Sequence, residues 1–281
     1  MMTTRTLFAA FSLTAALGLT GCGLSGAGAE DPAVPHTETG AFTQDVFEIW
    51  VDARAGSGDP VYWYSTGTVR AYPSGEVIAH MEGYDTAVSH RPDGEGAPSA
   101  HQYNRKVYIF RDPQTGEIMR ERNGVPVAPI SYDYQFIDYR VEDGEMIATV
   151  EQGSAPRVQT IEAEPMSWRR LGDSYVFTAP IFLDFPIPGT DRRVQAWENY
   201  DFFIQPEGSV GEPHQLSWAR IGQLPAWGGG QVAVMHMITW RLEDYEDVPE
   251  AFRVYVEAEA PLWRNPPADL DEIRQLQAGS E

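Results

Sequence analysis

The sequence has a single cysteine, Cys22, in 281 residues. No disulfide can form within a monomer, so the fold has to rest on its own core. The chain has no apolar run of the roughly 20 residues that a spanning helix requires, and Leu7–Leu19 falls short of it. Basic residues are scarce: 20 Lys and Arg stand against 41 Asp and Glu, for a formal charge of −21. Such a surface repels phosphate backbones and anionic lipid, which excludes nucleic acid as a partner. Several chemical signatures are also absent. There is no Gly-x-Ser-x-Gly elbow, no His-Glu-x-x-His, no phosphate-binding loop, no dinucleotide fingerprint and no calcium loop. No cofactor is expected.

Cys22 itself closes a Leu19-Thr20-Gly21-Cys22 box behind a short basic region carrying Arg5 and the apolar run. That order is the layout of a lipoprotein signal peptide over residues 1–21, with Cys22 as the lipidation site. A plain secretory signal with an incidental cysteine is the alternative. Acyl chains on Cys22 would hold the protein at a membrane without a spanning helix, each buried methylene contributing about 0.8 kcal/mol. The expected location is the bacterial cell envelope. Gly23, where an inner-membrane retention signal would carry Asp, points to the outer membrane facing the periplasm. Cleavage removes Arg5 and no acid, so the mature chain becomes one charge more acidic. Residues 22–40 are rich in Gly, Ala, Ser and Pro and read as a flexible tether, followed by one domain over residues 41–281.

Phe42, Val46, Ile49 and Trp50 recur at helical spacing and predict a short helix at the start of this domain. Strands follow over 61–72, 76–81, 105–111, 131–140, 145–151, 175–183, 195–204, 215–221 and 231–242. They are divided by turn sequences such as Pro73-Ser74-Gly75, Asp112-Pro113-Gln114-Thr115-Gly116 and Asp143-Gly144. Asp112 and Glu117 bracket a turn in this reading. The pattern predicts a mainly β fold, an antiparallel meander closing into a barrel, with a β-sandwich as the alternative. Two helices, over 249–258 and 269–277, are expected to plug or flank it.

The segment Leu216-Ser217-Trp218-Ala219-Arg220-Ile221-Gly222-Gln223-Leu224-Pro225-Ala226-Trp227 resembles the Ser-Trp-x-Arg … Leu-Pro-Trp signature of a bacterial family known as domain of unknown function 1838. Asp112-Pro113-Gln114-Thr115-Gly116-Glu117 and Ala196-Trp197-Glu198-Asn199-Tyr200 resemble two further family stretches, and the likeness covers most of the chain after residue 42. Ala226 and Gly228-Gly229-Gly230 depart from the family's Leu-Pro-Trp-Met. The resemblance implies an exported protein with a barrel similar in outline to the calycins and allene oxide cyclase. It implies no activity.

Strand alternation supplies the candidate site. Glu198 shares a face with Ala196, Tyr200, Phe202 and Ile204, and Arg220 shares one with Leu216 and Trp218. His236 falls among Val232, Val234, Ile238, Trp240 and Leu242. If these strands are neighbours, Glu198, Arg220 and His236 converge inside the barrel as catalytic candidates for proton transfer and oxyanion stabilisation. Tyr200, Trp218, Trp227 and Trp240 are the residues expected to line a pocket for a small apolar or aromatic molecule. The same residues also suit a satisfied core network that only fixes strand register. His80, His90 and His101 are placed in a surface loop, at a spacing that matches no zinc site. The sequence thus leaves three readings: an envelope lipoprotein with acid/base isomerase, cyclase or lyase chemistry, a non-catalytic binder, and a scaffold.

Overall fold

The structure is a computed structural model that describes residues 37–278 except 57, 93–96, 155–156, 187–192 and 206–213. Residues 1–21, read from the sequence as a signal peptide, Cys22 and most of the stretch read as a tether lie outside the described residues. In chain order the elements are β1 (Thr37–Thr39), α1 (Gln44–Ala55), β2 (Val61–Ala71), β3 (Val77–His90), β4 (Ser99–Arg111), β5 (Glu121–Arg122) and β6 (Val125–Pro126). They continue as β7 (Ile130–Glu142), β8 (Glu145–Ser154), β9 (Arg157–Glu162), β10 (Ser167–Leu171), β11 (Ser174–Pro186), β12 (Arg193–Ile204), β13 (Gln215–Gln223) and β14 (Val232–Leu242). Helices α2 (Glu250–Glu259) and α3 (Leu270–Ala278) end the chain. The last residues assigned to the tether form β1, which pairs with β10 at an edge of the sheet.

Twelve of these strands form one antiparallel sheet in the order β1-β10-β11-β12-β13-β14-β2-β3-β4-β7-β8-β9, and β5 and β6 make a separate two-stranded ribbon. Every neighbour pair is antiparallel, and β14 pairs with β2 in unbroken register from Ala233 opposite Ala71 to Leu242 opposite Tyr62. At one end of the sheet stands β9 and at the other β10, covered only by the three-residue β1, and β9 and β10 are successive stretches of one chain. The residues between them lie along β8, with Ala163 N donating to Ala148 O at 3.0 Å and Met166 N to Met146 O at 3.2 Å. The sheet therefore curls into a barrel-like meander. Curling brings backbones close at Gly67 and Gly83, where a Cβ would lie 2.1 Å from His236 O and 2.3 Å from the Tyr108 ring.

Helix α1 stoppers one end. Thr43 Oγ1 caps it by accepting from Val46 N, and Gly56 N closes it on Asp52 O at 3.1 Å. Its Trp50 is 1% exposed and meets Phe202 edge-on at 4.7 Å between ring centroids. Leu224 and Trp227, from the turn between β13 and β14, pack with Phe110, Met119 and Val127 in a second cluster. Outside the sheet, α2 lays Phe252 and Val256 on Tyr62, Tyr84, Val107 and Ile109, and α3 sets Ile273 against Val88, Tyr103 and Tyr134. Both late helices flank the wall, as the sequence predicts.

The strands run longer than their sequence patterns suggest, chiefly β3 and β4. Their inward residues include Asp85, Ser89, Gln102 and Asn104, all buried. Polar residues on the inner face erase the alternation that marks a strand. His90 and His101 accordingly lie in strands instead of a loop, and His80 lies in the strand expected over 76–81. Asp112 does cap a turn, its Oδ1 accepting from Gln114 N and Thr115 N at 2.8 and 2.9 Å.

Candidate functional site

Glu198 and Arg220 are direct cross-strand partners on β12 and β13, and Tyr200 and Trp218 are the next inward pair. The alternation that puts Phe202 and Leu216 in the core also turns these four inward. Arg220 Nη1 donates to Glu198 Oε1, while Tyr200 OH and Trp218 Nε1 donate to Oε2 at 2.8 and 3.2 Å. Glu198 is 8% exposed. A carboxylate removed from water to this extent needs such partners, since an uncompensated buried charge costs several kcal/mol.

His236 does not join them. It stands opposite Ala219 on the outer face of β14, exposed, with Nε2 3.2 Å from Ser217 Oγ. Trp240 shares that outer face, and the inward residues of β14 are Ala233, Met235, Met237 and Thr239. Both faces of this strand are apolar, so alternation alone could not say which one is inside. The inner face carries the slimmer set because it lies beside Trp218 and Arg220. Trp227 is buried at the barrel end against Phe110, 4.8 Å between centroids, and does not line the cavity.

The interior holds a cavity of two lobes, about 250 and 260 Å³. One is walled by Met81, Tyr108, Leu216, Trp218 and Met237. The other runs from Trp50 and Arg54 along Ile137, Val150, Ile181 and Phe185. Lys106, Tyr132, Glu198, Tyr200 and Arg220 border both lobes and form a polar belt between them. Mostly apolar walls with a few placed polar groups are the usual make-up of a small-molecule site.

Lys106 is the residue that the sequence reading missed. It comes from β4, in register with Asp85 of β3 and Tyr132 of β7. Beside it the β4–β7 register shifts, so that Tyr132 and Gln135, three apart, both line the cavity. The flanking Arg105 points outward and ties the C-terminal region to the wall through Asn265 O and Glu272. Lys106 Nζ lies 5.6 Å from the centre of the Tyr132 ring and has no hydrogen bond or ion pair among the described residues. Burial lowers its pKa and Arg54 acts in the same direction, against the pull of Asp85 and Glu198. Lys106 is also the only lysine in the chain, in which the other nineteen cationic side chains are arginines. That singularity was the available signal.

A second polar group leads away from the belt. Arg54 Nη2 pairs with Asp85 Oδ2 at 2.8 Å, and Asn104 joins Asp85 to Gln135 at 3.4 and 2.6 Å. Gln135 passes the chain on to Gln152, and Tyr139 OH donates to Gln102 at 3.1 Å. Arg54 Nη1, buried in the same wall, has no hydrogen-bond partner among the described residues. Burial pushes the Tyr139 phenol up to about 12 and raises Tyr108, Tyr132 and Tyr200 as well, so all four stay protonated donors at neutral pH. Comparisons with family models, with curated proteins and with solved structures find no match, so the roles of these residues rest on the geometry of the cavity alone.

Proposed function

We propose that this protein is an envelope lipoprotein, anchored through Cys22, whose barrel takes up a small, largely apolar molecule with one oxygen-bearing end. The observation that carries the reading is the two-lobed cavity crossed by a polar belt, in which Lys106 has no hydrogen bond or ion pair among the described residues. Apolar walls would supply affinity, and the belt would fix orientation. Glu198 already accepts three hydrogen bonds, which suits a group that positions Arg220, Tyr200 and Trp218 better than a free general base.

Titration calorimetry with 2-naphthylmethanol tests this reading. Binding of one molecule per chain is expected, together with its loss in Leu216→Trp and Ala179→Trp, which fill one lobe each. Failure to bind, or equal binding by correctly folded filled variants, would overturn it. Solvent extraction of the purified protein followed by mass spectrometry would then name the natural occupant.

A further inference from the structure

We propose that Lys106 is a reactive amine and that the cavity captures aldehydes or ketones as an imine on its Nζ. The inference rests on the binding reading above and names its ligand class.

Nineteen arginines serve every other cationic position, including the buried pairs Arg54–Asp85 and Arg220–Glu198. A position that needed only a fixed positive charge would be met by the same residue. Arginine cannot be deprotonated in a protein, whereas a lysine amine can become neutral and nucleophilic when it is desolvated. The one lysine stands inside the barrel, where both lobes meet and where no acceptor in the described structure holds its protons. The burial that depresses its pKa enlarges the neutral fraction at a given pH.

The surroundings complete the chemistry. The Nζ lone pair attacks the carbonyl carbon, forming a C–N bond as the C=O π pair moves to oxygen. That oxygen takes a proton from the Tyr132 phenol of the belt, and the nitrogen returns one proton to the phenolate, giving a carbinolamine. Protonation of the hydroxyl then lets it leave as water while the nitrogen lone pair forms C=N. The remaining N–H proton replaces the one that the phenol supplied. Amine and carbonyl become imine and water, with no oxidant or reductant required. Glu198 lies close enough to bias the charge on Lys106, and it stabilises the protonated imine by the same field.

The test uses the full chain, 2-naphthaldehyde and sodium cyanoborohydride at pH 7, read by intact mass and a tryptic map. One naphthylmethyl group per chain is expected, on a peptide that begins at Lys106 and ends at Arg111 because cleavage after the modified lysine is blocked. It should form at least tenfold faster than on N-acetyl-lysine amide. 2-Naphthylmethanol, of the same shape without the carbonyl, should slow it by competition. Lys106→Arg, which keeps the cation but has no nucleophilic amine, should abolish modification at this position. Modification confined to the N-terminal amine, or at Lys106 no faster than on the free amide, overturns the proposal. If the alcohol binds in that case, the cavity reading stands and the imine alone fails; if the alcohol does not bind, both fail.

Discussion

Glu198 offers about four acceptor positions on its carboxylate and has three of them filled, by Arg220, Tyr200 and Trp218. Its removal would leave Arg220 unpaired, with a side chain only 17% exposed. Glu198→Ala is therefore expected to lower stability by about 3–5 kcal/mol, and the double change Glu198→Met with Arg220→Met to recover most of that loss. Urea midpoints of the three proteins check this, and a double variant no more stable than Glu198→Ala would refute it. The four converging residues were legible in the sequence because β12 and β13 each have one plainly apolar face with the polar groups set into it. His236 and Trp240 were misplaced because β14 is apolar on both faces. Lys106 went unread for a different reason: its strand neighbours Gln102 and Asn104 are polar and also point inward, so nothing in the local pattern marks it as interior.

Among the elements, the residue after β12 and the residue before β13 are tied together and to β14 in a way that depends on one neutral imidazole. His214, just before β13, accepts a hydrogen bond from Gln205 N at Nδ1, 3.2 Å, and its carbonyl accepts from Arg241 N at 2.9 Å. Burial, followed by the charge of Arg241, lowers its pKa from 6.5 to about 4. In the folded protein it stays neutral where the unfolded chain would bind a proton. The contribution to stability is thus complete above about pH 6.5 and is lost progressively as the pH falls toward 4. With allowance for the partial exposure of the ring, about 1–2 kcal/mol is expected. Guanidinium midpoints at pH 7 and pH 4.5 should fall further for the wild type than for His214→Gln, the carboxylates titrating alike in both; equal falls would remove His214 as the cause. At this scale the helices were the most legible elements, since α1, α2 and α3 each bury one stripe. β9 and β10 were not anticipated. They are short, six and five residues, and each pairs with its neighbour in sequence, β9 with β8 and β10 with β11, in stretches with too few apolar residues to show an alternation.

For the molecule as a whole, the acidic coat and the cationic belt act on different ligands. The chain carries −21 overall, yet the cavity is lined by Arg54, Lys106 and Arg220 against Glu198, with Asp85 paired to Arg54. An anion would find a favourable interior only after crossing a repulsive exterior. At 0.01 M salt the Debye length is about 30 Å, comparable with the size of the domain, and at 1 M it is about 3 Å. Raising salt should therefore speed the entry of an anionic probe and leave a neutral one of the same shape unaffected. Stopped-flow association of 2-naphthoate and 2-naphthylmethanol between 0.01 and 0.5 M sodium chloride measures both. The expected result is an association rate for the carboxylate that rises about tenfold or more while the alcohol changes by less than twofold. A carboxylate rate that falls with salt would mean that attraction by the belt reaches through the mouth of the barrel. The coat would then be no filter, and carboxylates would replace neutral carbonyl compounds as the better-suited cargo.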